Sequence, residues 1–160
     1  MKRTIILLII TVLTLITGGC KKKIENTGTL VYTDVKIVYK DNLGNNLLDS
    51  VTPNHYSIAN MHVFYLENGV KKEYFNGKAD APKGLSIFKD ATGQYVLDFN
   101  FCGPGVNNTV TNFLQLSDTD MDTLIGIFDT SNGNDELTKA WCNGVLWKSG
   151  ASPNFTIVKK

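Results

Sequence analysis

Short runs of alternating apolar and polar residues, separated by turn sequences, fill the chain from about residue 30 onward. In residues 30–39 the bulky residues Val35, Ile37 and Tyr39 recur at every second position, so they share one face of a predicted strand. Residues 95–101 alternate in the same way. A period of two predicts strands that turn one face toward a hydrophobic core.

Turn sequences between these runs predict three hairpins. Asn68-Gly69 and Asn143-Gly144 each lie between two apolar runs, and Asn-Gly favours tight hairpin turns because both residues tolerate positive φ. The predicted pairs of strands are 62–66 with 70–75, 85–88 with 95–101, and 137–142 with 145–147.

Residues 112–129 carry two patterns. Apolar positions 121, 124, 125 and 128 fall at helical spacing behind Ser117, whereas positions 123, 125 and 127 alternate as in a strand and Gly126 disfavours a helix. We interpret this stretch as strand. The whole pattern then predicts a single antiparallel β-sandwich, broadly immunoglobulin-like, of eight to ten short strands.

The N-terminus has a different pattern. A cationic start precedes the apolar run 4–16, which is followed by small residues and then Cys20. A membrane span needs about 20 apolar residues, so a cleaved signal peptide is the better interpretation. We therefore expect three parts: a signal peptide at 1–19, a tether at 20–28 and a β-sandwich domain at 29–160.

Thr17-Gly18-Gly19-Cys20 resembles the lipobox of bacterial lipoproteins, although Thr17 stands where that family more often has Leu. The resemblance implies cleavage after Gly19 and acylation of Cys20 by chains such as palmitate. Several chains anchor firmly, because each buried methylene contributes about 0.8 kcal/mol. The resemblance therefore implies a lipoprotein attached to the outer membrane, and the absence of an acidic run after Cys20 favours the periplasmic face over the cell surface.

Three further stretches resemble the small uncharacterised lipoproteins of Gram-negative gut bacteria. This second resemblance implies no activity. The stretches are Gly44-Asn45-Asn46-Leu47-Leu48-Asp49, Asp118-Thr119-Asp120-Met121-Asp122-Thr123 and Lys139-Ala140-Trp141-Cys142-Asn143-Gly144.

The charge of the processed chain is close to zero. Removal of Lys2 and Arg3 with the signal peptide leaves 14 Lys and Arg against 15 Asp and Glu, a formal net charge of −1. No strongly basic field is present to attract nucleic acid, so we expect no nucleic-acid partner.

The Asn143-Gly144 hairpin predicts two faces, because directly opposed residues of a hairpin point to the same side. The predicted core side contains Ala140, Cys142, Val145 and Trp147. The other side contains Lys139, Trp141, Leu146 and Lys148. A Trp and a Leu framed by lysines indicate a contact surface for a protein or for stacking on a sugar ring. Alternatively, a loop such as the irregular segment 47–60 covers Trp141.

Cys102 and Cys142 remain as an even pair once Cys20 is acylated, and an oxidising compartment favours a disulfide between them. A disulfide requires Cα atoms within about 7 Å of each other. However, alternation places Cys102 opposite the core face of its strand and Cys142 on the core face of its own. The alternative is two buried free thiols.

Asp118, Asp120 and Asp122 stand at alternate positions, a spacing that could place several oxygens around Ca²⁺. The EF-hand pattern fails because Thr123 occupies the position that requires Gly. A solvated turn is the preferred interpretation, and we expect neither a metal nor another cofactor.

The sequence contains almost no sign of a catalytic site, although a triad dispersed along the chain would leave no motif, because triads are recognised by geometry and not by order. His55 and His62 have a spacing that fits no zinc motif, and the sequence contains no Gly-x-Ser-x-Gly, HExxH or phosphate-binding loop. We expect no enzymatic activity. The sequence instead predicts a tethered binding or accessory module of the cell envelope with a protein or glycan ligand; the alternative is a purely structural lipoprotein without a small-molecule ligand.

Overall fold

The computed structural model describes residues 31–131, 133–147 and 154–160. The predicted signal peptide, Cys20, the tether and Lys148 lie outside these residues. The described part folds into two β-sheets. Its strands are β1 (Val31–Tyr32), β2 (Asp34–Lys40), β3 (His62–Glu67), β4 (Val70–Glu73), β5 (Leu85–Lys89), β6 (Tyr95–Asn100), β7 (Thr109–Ser117), β8 (Asp120–Asp129), β9 (Asp135–Cys142), β10 (Val145–Leu146) and β11 (Phe155–Val158).

The two sheets are antiparallel apart from one pair of strands in each. The seven-stranded sheet has the order β1-β9-β8-β7-β3-β4, with β10 paired to β9, and the four-stranded sheet has the order β11-β2-β6-β5. The parallel pairs are β1 with β9 and β11 with β2. This arrangement confirms the predicted all-β sandwich.

All three predicted hairpins form. In the β3–β4 turn, φ is 52° at Asn68 and 77° at Gly69; in the β9–β10 turn, it is 50° at Asn143 and 80° at Gly144. Both central residues of each turn therefore have positive φ, as a type I′ turn requires.

Residues 112–129 are strand, as predicted. β7 and β8 pair along their length and are joined at Asp118-Thr119. Burial alternates along β8: positions 122, 124, 126 and 128 are buried, and positions 123, 125 and 127 are partly exposed. The helical alternative is therefore wrong.

The core lies between the two sheets and contains the residues that alternation selected. Val35, Ile37 and Tyr39 of β2 are fully buried, as are Leu97 and Phe99 of β6. Apolar residues of β3, β7, β8 and β9 complete the same cluster from the larger sheet. Burial of this apolar surface is the main source of stability in such a fold.

One member of the predicted core side of the β9–β10 hairpin is not in the core. Val145 opposes Cys142 as predicted, and Ala140 and Cys142 are buried, but Val145 is 65% exposed. β10 is only two residues long and pairs with β9 alone, off the main path of the larger sheet, so Val145 has few neighbours to cover it. Trp147 is partly buried against the core.

Candidate functional site

The structure brings Trp141 and Leu146 together on the face of the seven-stranded sheet that is turned away from the core. They are directly opposed in the β9–β10 hairpin. Trp141 is partly buried, Leu146 is 53% exposed, and Lys139 is exposed two residues before Trp141 in β9. Lys148, the fourth residue predicted for this surface, lies outside the described residues.

Strand pairing extends this surface across the sheet. Trp141 opposes Ile125 of β8, and Phe113 of β7 opposes Phe64 of β3. Directly opposed residues of antiparallel strands share a face. The resulting surface, called the Trp141 face below, consists of Phe64, Phe113, Ile125, Ile127, Trp141 and Leu146.

Charged side chains flank the Trp141 face. The Lys71 ammonium lies 4.1 Å from the centroid of the Phe113 ring, a cation–π contact. Nδ1 of His62 lies 2.6 Å from Oε1 of Glu73. Lys139 lies at the other side of the face, as do the exposed carboxylates of Asp129 and Glu136, which oppose each other in β8 and β9. The apolar surface therefore has a charged rim of both signs.

Loop 47–60 packs elsewhere. Leu47 and Leu48 are buried in the core, and the Tyr56 ring packs edge-on against Tyr39 at 5.6 Å. These contacts lie on the core side of the sheets, opposite the face that carries Trp141.

A buried polar cluster lies at the end of the sandwich, inside the fold. The Tyr39 hydroxyl donates a hydrogen bond of 2.7 Å to Oδ2 of Asp122, and the Asn143 amide donates one of 2.7 Å to Oδ1. Asp122 is almost fully buried. Burial, together with the charge of Asp122, holds the pKa of Tyr39 well above its ordinary value, so the hydroxyl keeps its proton and remains a donor.

Lys159 joins two carboxylates in this cluster. Its ammonium lies 2.8 Å from Oδ1 of Asp120 and 2.7 Å from Oδ1 of Asp122, and Tyr56 donates 2.6 Å to Oδ2 of Asp120. Burial alone would lower the pKa of Lys159, but its hydrogen bonds and charge interactions with Asp120 and Asp122 outweigh burial and raise it. Burial and the bond to Asp120 raise the pKa of Tyr56. The Lys159 ammonium therefore pairs with both carboxylates, and each carboxylate also accepts a hydrogen bond from a protonated tyrosine hydroxyl.

This arrangement accounts for two of the three candidate calcium ligands. Asp120 and Asp122 point to the same side of β8, but a lysine ammonium lies against both. Asp118 is exposed in the β7–β8 turn. Among the described residues, no group of three or more His, Cys, Asp or Glu side chains is placed to hold a metal ion.

The two cysteines are free thiols in the structure, so the disulfide that their even number favoured is not present. Cys142 pairs with Leu124, which pairs with Asn112. Cys102 contacts the Asn112 side chain, whose Oδ1 accepts its backbone N–H at 3.0 Å. Asn112, which Cys102 contacts, therefore lies two strands away from Cys142 in the sheet. Burial raises the pKa of each thiol to about 12.

The two histidines serve different parts of the fold. His55 contacts the Thr52 carbonyl within its own loop, at 3.2 Å, whereas His62 pairs with Glu73 beside the Trp141 face.

Sequence reasoning missed both the breadth of the Trp141 face and the Lys159 cluster. The alternation of Thr123, Ile125 and Ile127 was a signal for the first, because it left two isoleucines on one side of a predicted strand. The second depends on contacts between residues far apart in the chain, such as Tyr39 and Asp122.

Comparisons with protein-family models, curated proteins and solved structures find no match to this chain. The described part of the chain contains no helix with the length and apolar character that a membrane span needs.

Proposed function

We propose that this protein is a membrane-tethered, non-enzymatic binding module of the cell envelope that docks a partner protein on its Trp141 face. The observation that supports this most strongly is the continuity of that face. Aromatic and aliphatic side chains occur on five neighbouring strands, on the side of the sheet turned away from the core, with Thr111 opposite Ile125 and Thr123 opposite Phe113. Apolar surface in such a patch is typical of interaction sites.

The composition of the face favours a protein over a glycan. Ile125, Ile127 and Leu146 stand beside the aromatic residues, and branched aliphatic side chains offer a sugar neither a flat ring nor a hydrogen bond. Protein interfaces combine an apolar, aromatic-rich centre with a polar rim. Because Lys71 and Lys139 flank the face together with Asp129 and Glu136, the partner should carry complementary charges of both signs around an apolar centre.

The tether would place this surface near its partner. Acylation of Cys20 would hold the domain at the periplasmic face of the outer membrane, and confinement to one membrane raises the effective concentration of any other envelope protein. The support for this part of the proposal is the signal-peptide pattern and the lipobox resemblance of residues 17–20.

Site-specific photo-crosslinking tests the docking proposal. A photo-reactive phenylalanine derivative replaces Leu146 in one variant and Val158 in a matched control, because these side chains have similar exposures of 53% and 57%. Both full-length variants are expressed in a Gram-negative host and irradiated in whole cells. We expect a discrete protein adduct from position 146 and none from position 158, and Trp141→Ser should reduce the adduct at least about tenfold.

The proposal would be overturned by the same adducts from both positions, or by adducts from position 146 to glycan, lipid or a second copy of the chain. No adduct at all would also contradict it and favour a purely structural role. Thermal unfolding of Trp141→Ser shows whether a lost adduct reflects lost folding.

A further inference from the structure

A cleft of about 890 Å³ lies at the end of the sandwich, where loop 47–60 meets the β7–β8 turn and the C-terminal residues. This volume is in the range of small-molecule binding sites. The lining includes Tyr56 and Asn60 from the loop, Asp120 from β8 and Lys159 after β11. No residue of the Trp141 face lines it, so it is a separate site.

The floor of the cleft has unused hydrogen-bonding capacity. An ammonium has three donors and a carboxylate about four acceptor positions. Lys159 uses two donors, on Asp120 and Asp122, and Asp120 accepts one bond at each oxygen, from Lys159 and Tyr56. The side chains of Asp120 and Lys159 remain 28% and 17% exposed. A donor and an acceptor, 2.8 Å apart in one ion pair, therefore remain for a ligand.

The charges that line the cleft balance. Asp41 and Asp120 stand against Lys159 and Lys160, and the Asp120–Lys159 pair is already formed. Asp41 and Lys160 contribute one further charge of each sign, so neither sign predominates among the lining residues. A charged ligand would therefore meet charges of both signs and would lose more hydration on binding than a neutral ligand does.

The walls offer both polar and apolar contacts. Asn54, Asn60 and Ser117 line the cleft, and their side chains make no hydrogen bond to another described residue. Leu43 and Pro53, which are both exposed, also line it. Such a surface suits a molecule with hydroxyl groups along its edges and C–H groups on its faces.

We propose that this cleft binds a short neutral saccharide, with two adjacent hydroxyls bridging Asp120 and Lys159. A hydroxyl both donates and accepts, so one can donate to the carboxylate while its neighbour accepts from the ammonium. The ion pair then stays intact, and the hydroxyls of the ligand replace the water bound to it.

NMR titration of the processed, unacylated domain tests this proposal with defined probes. Maltotriose, cellotriose, mannotriose and chitotriose are the neutral probes, and glucose 6-phosphate and glucosamine are the charged ones. We expect at least one trisaccharide to cause saturable shifts of the backbone amides of Ser57, Asn60 and Thr119 by about 10 mM. The charged sugars should bind at least about tenfold more weakly.

A variant that fills the cleft provides the second arm. Asn60 is exposed at the rim, so Asn60→Trp should fold normally while weakening trisaccharide binding at least about tenfold. Lys78→Trp, at another exposed position that does not line the cleft, is the matched control and should bind as the unmodified domain does.

Three results would overturn the saccharide proposal: no shift with any neutral trisaccharide, tighter binding of a charged sugar, or binding that Asn60→Trp does not weaken. Because the amide of Leu146 reports on the Trp141 face, shifts there instead of at the cleft would also contradict it. None of these results bears on the protein-docking proposal, which the crosslinks from position 146 test.

Discussion

The ammonium of Lys159 lies 2.7 Å from Oδ1 of Asp122, a carboxylate that is almost completely buried. Two contacts fix the chain just after β11. The ion pair is the first, and the second is a hydrogen bond of 2.8 Å that the backbone N–H of Lys159 donates to the Lys40 carbonyl. The C-terminus is thereby attached to both sheets: to β2 by its backbone and to β8 by its side chain.

Lys159→Met should destabilise the domain by about 2–4 kcal/mol, because it leaves Asp122 buried with its charge uncompensated. Urea unfolding at pH 7 measures the change. The control is Lys36→Met, which removes a more exposed contact of 3.8 Å with Asp34 and should cost less than about 1 kcal/mol. Adding Asp122→Asn to Lys159→Met should restore part of the loss; a double variant less stable than the single one would contradict the buried-charge account.

Stability should fall as the pH rises above about 9. Burial raises the pKa of Cys142 from 9.0 to about 12, so the folded chain keeps a proton that the unfolded chain releases. The contribution is fully present below pH 9 and is lost as the pH rises toward 12. With a pKa of 9.0 for this thiol in the unfolded chain, the free energy of unfolding should fall by about 1 kcal/mol between pH 9 and 10.

Cys142→Ala should flatten the decline in melting temperature over that interval, even if the variant is less stable at pH 7. Cys102 has a pKa raised from 9.0 to about 12 as well, so Cys142→Ala should remove about half of the decline that the two thiols cause. Tyr39 and Lys159 also have raised pKa values, but their ordinary values are 10.0 and 10.5, so they contribute mainly at higher pH. An unchanged slope between pH 9 and 10 in Cys142→Ala would show that this thiol is not buried in its protonated form.

Gly103→Ala should destabilise the domain more than Gly93→Ala. Both glycines have positive φ, 84° and 81°, so both substitutions strain the backbone. A Cβ at Gly103 would also lie 2.5 Å from the Tyr65 ring, whereas one at Gly93 has nothing within 4 Å. The difference in unfolding free energy isolates the clash, and we expect about 1–3 kcal/mol; equal losses would contradict the placement of Tyr65.

Cys20→Ala should abolish acylation. In cells grown with an alkyne-bearing fatty acid, the chain that retains Cys20 should be labelled and the variant should not. The variant should be released or remain as an uncleaved precursor. A Cys20→Ala chain that is still labelled and processed would contradict the lipoprotein interpretation. Cys102→Ala is the control and should be labelled normally.

Local patterns carried the predictions that the structure confirms. Asn68-Gly69 and Asn143-Gly144 determine their hairpins within a few residues, and alternation selected the core face of β2. The exposure of Val145 could not be predicted in this way, because it depends on the short length of β10 and its position off the main path of the larger sheet. The Lys159 cluster joins residues 37 and 39 positions apart, and no periodicity reports such contacts.

Hydroxyl-radical footprinting on whole cells tests most directly whether a partner covers the Trp141 face. The account predicts that Trp141 and Phe113 are oxidised several-fold more slowly in cells than in the purified domain, while Phe75, which is exposed elsewhere, reacts at the same rate in both. Equal rates for Trp141 in cells and in the purified domain would contradict the proposal that this face is a docking surface.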